Sequence, residues 1–188
     1  MTDSIREIDS ALSGQDPIAI DKVLSWLESI HDLPGMAKLY CLTGEHYYRI
    51  QPELGKAASC SAVRNYLLEC IRQDLQGDGF QSRWEASQTL HLWLRQLFEM
   101  KDSSDEIEKT ARAITQLFLK SGEEVRAAIE QGFLEHALES AGLRPYFDNW
   151  SKNENLREAW SAATAWADDH PDWSWNLHQE FRAKTKGL

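Results

Sequence analysis

The side chains able to do chemistry in this sequence are six histidines, three cysteines and thirty carboxylates. Two histidines stand where an imidazole could face a pocket. His91 lies in "SRWEASQTLHLWLRQLFEM", Ser82 to Met100, with Trp84 seven residues before it and Phe98 seven after. On a helix these three share a flank, and they could line a pocket holding one titratable group. The competing reading is plain contact with a neighbouring helix. His136 falls on the apolar face set by Val125, Ile129 and Gly132. A general base or ligand there competes with a core histidine hydrogen-bonded to a carbonyl or carboxylate. Gly132 would let another helix approach closely.

Metal and nucleophile patterns are incomplete. Glu28-Ser-Ile-His31 is a single Glu-x-x-His, and a di-iron bundle needs two plus further glutamates. His-Glu-x-x-His is absent, and Cys41, Cys60 and Cys70 do not form a zinc pattern. His31-Asp32 lacks the partners of a metal phosphohydrolase. "DDHPD", Asp168 to Asp172, reads as a solvated turn. No G-x-S-x-G, phosphate loop or dinucleotide loop occurs. No catalytic residue, metal or cofactor is expected. Arg83 and Arg64 lie among leucines and isoleucines, so each is expected in a structural ion pair. For Arg83 the partner is Asp78, Asp74 or a glutamate from another helix.

The elements that must hold these groups are helical. Apolar residues recur in steps of three and four: Ile5, Ile8, Leu12; then Ile20, Val23, Leu24, Leu27, Ile30, His31; then Met36, Leu39, Tyr40, Thr43, Tyr47, Ile50. Further stripes run from Ala57 to Leu75, Ala86 to Leu97, Ile107 to Phe118, Val125 to Phe133, Leu156 to Ala167 and Trp173 to Phe181. Asp16 and Pro17 are expected to start the second helix. Ser-x-x-Glu at Ser4, Ser82, Ser103, Ser121 and Ser151 is expected to form capping boxes. "QGDG", Gln76 to Gly79, is the clearest turn, and residues 101–106 make a soft boundary within one domain spanning 1–188. The expected fold is all-α: about nine helices in stacked antiparallel pairs, a short irregular solenoid or a bundle.

The formal charge is −10, which disfavours nucleic acid and anionic lipid and suits a basic protein partner. The cation-rich end, Arg182 to Gly187, reads as a helix terminus. No apolar run spans a bilayer, the N-terminus lacks a signal-peptide pattern, and the cysteine count is odd, so a reduced, cytoplasmic protein is expected. Five of the eight tryptophans crowd the last third. Trp150, Tyr146, Trp173 and Trp175, with Asp168 and Asp169, are the candidate partner-binding surface; buried anchors are the alternative.

"SRWEASQTL" aligns with "VRAAIEQGF" 43 residues later, arginine on arginine at Arg83 and Arg126. These windows resemble the second helix of HEAT-type α-solenoid repeats. The resemblance implies stacked helix pairs with a concave partner-binding face, and no chemistry. Two functions remain open. One is a non-enzymatic protein-binding module, in sharper form a small acidic inhibitor of the bacterial immunity or antitoxin type that caps a basic partner. The other is a small-ligand-binding or enzymatic helical protein with a histidine-containing pocket between helices, His91 or His136 being the titratable group and Trp84, His91, Phe98 and His136 the candidate lining residues.

Overall fold

The structure of the protein, a computed structural model, describes residues 3–75, 77 and 79–185. Gln76, Asp78 and residues 186–188 lie outside the described residues, and with them parts of the expected turn and basic end. The chain is all-α apart from one two-residue strand pair. It falls into two compact units, Met1–Cys70 with Leu75–Gln81, and Ile71–Asp74 with Ser82–Leu188. Residues 101–106 lie inside the second.

The first unit contains α1 (Asp3–Ser13), α2 (Ile20–Ser29), α3 (Leu33–Gly44) and all but the last turn of α4 (Lys56–Gln73). Its core gathers Ile8, Val23, Trp26, Ile30, Leu39, Leu42 and Ile50. Trp26 takes an inward place on α2, while Leu24 and His31 of the expected stripe are exposed. Asp16 and Pro17 do not start α2. Ile18 and Ala19 form strand β1, which pairs in parallel with Ile50 and Gln51 of β2, and α2 begins only at Ile20. Buried Arg49 fixes this entry by donating to the Asp16 carbonyl from Nε at 3.2 Å and Nη2 at 2.9 Å. A buried guanidinium needs such acceptors, and two β-branched isoleucines bury better side by side in strands than in a first helical turn. The cap that does operate here is Asp32, whose Oδ1 accepts from the Gly35 amide at 2.9 Å, with Pro34 in the first turn of α3.

The second unit contains α5 (Arg83–Glu99), α6 (Ser104–Lys120), α7 (Glu123–Ile129), a π turn (Glu130–Leu134), α8 (Glu135–Leu138), α9 (Asn149–Lys152), α10 (Arg157–Asp169) and α11 (Trp173–Thr185). α5 packs against α6, α7, the π turn and α8, and α10 packs against the π turn, α8 and α9. Of the five expected capping boxes, only Ser82–Glu85 forms completely. Its hydrogen bonds from Ser82 hold the Glu85 carboxyl below its usual range. Ser4 lies within α1, and Ser121 follows the end of α6, where Gly122 caps α7. Ser103 precedes α6 but donates its hydroxyl to Met100 and Lys101 carbonyls. Ser151 sits inside α9 and donates to Asp148.

Arginines close the helix ends instead. Arg83 Nε donates to the Ile71 carbonyl at 2.8 Å, in the last turn of α4. Arg126 Nε donates to the Phe118 carbonyl at 3.0 Å, in the last turn of α6. Arg144 reaches Leu138 at 2.8 Å and Arg157 reaches Ser151 at 3.3 Å in the same manner. Each cation donates to a carbonyl in the last turn of a helix, at its negative end. Arg83 also pairs with Glu124 at 3.0 Å and Asp74 at 3.6 Å, as its apolar surroundings require. Arg64 is half-buried on α4.

Candidate functional site: a histidine-lined cavity in the second unit

The capping box aims α5 so that Ala86, Leu90, Leu94 and Leu97 face the core. His91, one residue round from Leu90, is carried inward with them and is 5% exposed. Across from it, the helix that starts at Glu123 changes pitch through the π turn and continues as α8, which carries His136. Gly132 lies in that turn, and a methyl group there would sit 2.9 Å from Ser87 Cβ and 3.2 Å from the Trp84 ring. The missing side chain therefore sets how closely α5 and the π turn approach. The two imidazoles meet with ring centroids 5.0 Å apart.

Their electrostatics differ. A poorly aligned contact with the Gly132 carbonyl aside, neither ring nitrogen of His91 has a hydrogen-bond partner. Burial first, then the neighbouring His136 and His178, pushes its pKa down to about 3, although the Gly132 carbonyl pulls the other way. At neutral pH His91 is an uncharged ring with one N–H and one lone pair to offer. His136 is oriented: its Nδ1–H donates to Glu139 Oε1 at 2.8 Å. That bond leaves Nε2 as the acceptor of the neutral ring. Glu139 is itself 4% exposed, and its other oxygen accepts from the Ser174 amide at 2.7 Å and the Ser174 hydroxyl at 2.8 Å. Three donors thus satisfy one buried carboxylate. The Trp166 ring meets His136 edge-on at 4.8 Å, and Trp173 lies stacked beyond at 6.3 Å.

Between α5, α8 and α11 these groups border a cavity of about 480 Å³. Leu92 from α5 and Trp173, Leu177 and Phe181 from α11 supply apolar wall, and His91, His136, Gln88, Ser174 and His178 complete the lining. The Nε2 of His178 is buried and unpartnered, and burial and Arg182 lower its pKa. The size and the mixture of apolar wall with a few convergent polar groups suit a small organic molecule. Among the described residues, no lysine or arginine borders the cavity.

The chemistry available is restricted. A serine nucleophile needs its hydroxyl against an imidazole, and Ser174 gives its proton to Glu139 instead. The three imidazoles do not converge for an ion: among the described residues, the group whose ligating atoms come together is Cys41, Glu45 and His46 in the first unit. "DDHPD" is occupied otherwise, with Asp168 paired to Arg144 at 2.7 Å, Asp172 to Arg95 at 3.0 Å, and His170 stacked on Trp166 at 4.2 Å.

Of the expected pocket residues, His91 and His136 come together. Trp84 and Phe98 do not join them, because their rings pack over Gly132 and Gly142. Trp150 is no surface anchor. It is 1% exposed, donates to Thr115 Oγ1 at 2.8 Å and packs against Phe118 and Phe147. Tyr146 is half-buried, and Asp168 and Asp169 are exposed. Trp175 is half-buried beneath the Arg95 guanidinium, 5.5 Å from its centroid. Trp173 is half exposed at the cavity wall, and its stripe with Leu177 and Phe181 stays out of the core. Sequence reasoning missed Glu139, Ser174 and His178. The His136-x-x-Glu139 spacing was a usable signal, since residues three apart share a helical face.

No protein-family model matches the chain, and neither the curated proteins nor the solved structures yield a significant match.

Proposed function

We propose that this protein binds a small, neutral, amphipathic ligand in the histidine-lined cavity of its second unit. The observation that carries this reading is His91, a buried imidazole without a well-formed hydrogen bond at either nitrogen, whose ring forms part of the cavity wall. Such a group costs on the order of 1–3 kcal/mol unless something pairs with it. A ligand hydroxyl or amide offers both a donor and an acceptor, and so matches the neutral ring. The apolar body of the ligand packs against Leu92, Trp173, Leu177 and Phe181. Among the described residues, no lysine or arginine stands there to hold a strong anion. His136, held by Glu139, gives a second acceptor and, as an oriented base, is the residue through which an enzymatic version of this reading would work.

The test is a thermal-shift series with phenol, indole and medium-chain alcohols as probes. A raised Tm that is lost in His91→Leu supports the reading. No shift with any probe, or a shift that persists in His91→Leu and in Leu177→Arg, would count against it.

A second reading is the non-enzymatic partner-binding module, an acidic inhibitor that caps a basic protein. Its support is the row Trp173, Leu177 and Phe181, exposed by 50%, 55% and 67%, on a chain of charge −10. HEAT-type stacking belongs to this reading, and the matching roles of Arg83 and Arg126 support it. A complex whose affinity falls with added salt is the expected result, measured by titration calorimetry.

A further inference from the structure

We propose that Cys41, Glu45 and His46 in the first unit form a site for a divalent transition metal of the zinc class. The ligating atoms of the three side chains lie within 4.8 Å of one another. The backbone explains why. Cys41 is in the last turn of α3, and the Glu45 amide donates to the Cys41 carbonyl at 2.8 Å, so the two side chains rise from one helical face. At His46 the chain leaves the helix, with φ −113° and ψ 15°, which brings the next side chain round to the same end.

The Cys41–Glu45 edge fits an ion. A tetrahedral centre with a metal–sulfur bond of about 2.3 Å and a metal–oxygen bond of about 2.0 Å sets a sulfur–oxygen edge of about 3.5 Å. The Cys41 Sγ to Glu45 Oε2 separation is 3.6 Å. The ion would take the place of the thiol proton that now bridges them, and that proton would pass to solvent. Nδ1 of His46 is buried and has no hydrogen-bond partner, so no protein group competes for that nitrogen. The C-terminal end of α3 also carries the negative pole of the helix, which favours a cation. A thiolate, an imidazole and a single carboxylate suit a borderline metal, whereas magnesium and calcium require mostly oxygen. Three protein ligands leave a fourth position for water. Cys41 and His46 are half-buried and Glu45 is exposed, so the ion has a path in.

Cobalt(II) is the probe, because it reports thiolate ligation by a near-ultraviolet charge-transfer band. The full chain is expected to show that band. Cys41→Ser should abolish it, whereas Cys60→Ser and Cys70→Ser, at buried thiols, should leave it unchanged. His46→Ala and Glu45→Gln should each weaken binding by about tenfold or more, since even outer-shell losses cost that much. In the unmodified chain, zinc should slow alkylation of Cys41 by iodoacetamide, which tests the site should a variant fail to fold. Absence of the band and of zinc protection, or a band that survives Cys41→Ser, overturns the proposal.

Discussion

The two units place their histidines in opposite circumstances. In the second, His91 is carried into the core by a capped, leucine-faced helix and left without a well-formed hydrogen bond. In the first, His46 sits past the end of a helix beside an exposed carboxylate and a half-buried thiol. The buried imidazole burdens the fold, and its presence calls for an explanation beyond packing. The peripheral one leaves a single buried nitrogen unmet, and its meaning rests on the convergence of three ligating atoms. A candidate site can therefore reveal itself through unmet bonding in a core or through geometry at a rim.

The comparison can be broken or sharpened by substitution. The largest effect is expected at Trp150→Ala, which empties a fully buried ring site and should cost about 3–5 kcal/mol by urea unfolding. His91→Leu should do the reverse and stabilise the chain by about 1–3 kcal/mol, while removing ligand binding. A destabilised His91→Leu would mean that the imidazole is a packed core group after all. The same residue sets a pH dependence. Above its ordinary value of 6.5 neither state holds the proton; below it the unfolded ring takes one and the buried ring refuses until about 3. Stability should fall with pH across that window by at most about 1.4 kcal/mol per unit, a slope that His91→Leu should reduce in acid-melting curves.

Gly132→Ala should cost about 1–3 kcal/mol, because its methyl group must push Ser87 and Trp84 away. Ser82→Ala should cost about 1 kcal/mol through loss of the capping box. Ser121→Ala should stay within about 0.5 kcal/mol, since this serine caps nothing. Glu45→Gln in the first unit should likewise stay within about 0.5 kcal/mol while weakening metal binding. Thermal melts of these last variants, run together, separate a rim site from a core site.

The helices were legible because burial follows the three-and-four spacing of their apolar residues, as at Ala86, Leu90, Leu94 and Leu97. Their starts were less so. Ser-x-x-Glu names the letters of a capping box, but Ser121 and Ser151 have the letters without the place, and an arginine closes the preceding helix end instead. Ile18 and Ile50 illustrate a different limit, since a two-residue parallel pairing depends on contacts thirty-two residues apart that no local pattern records. His91 and His136 could each be picked out alone. That they face one another, with Glu139 and Ser174 behind, depends on how α8 and α11 pack. Trp150 and Trp173 look alike in sequence, and only the packing makes one a core ring and the other a wall.

The π turn at Glu130–Leu134 has one consequence of its own. Such a turn holds one residue more than the α-helix it interrupts, and an α-helix advances about 100° per residue. Straightening that turn into α-helix with every residue retained would swing everything after it by about that angle, and His136 and Glu139 would then face away from His91. Removing the exposed Gln131 together with the turn would instead keep their present facing. The orientation of this imidazole pair thus hangs on a bulge that absorbs one surplus residue, and the same side chains wound as uninterrupted α-helix would have no cavity chemistry.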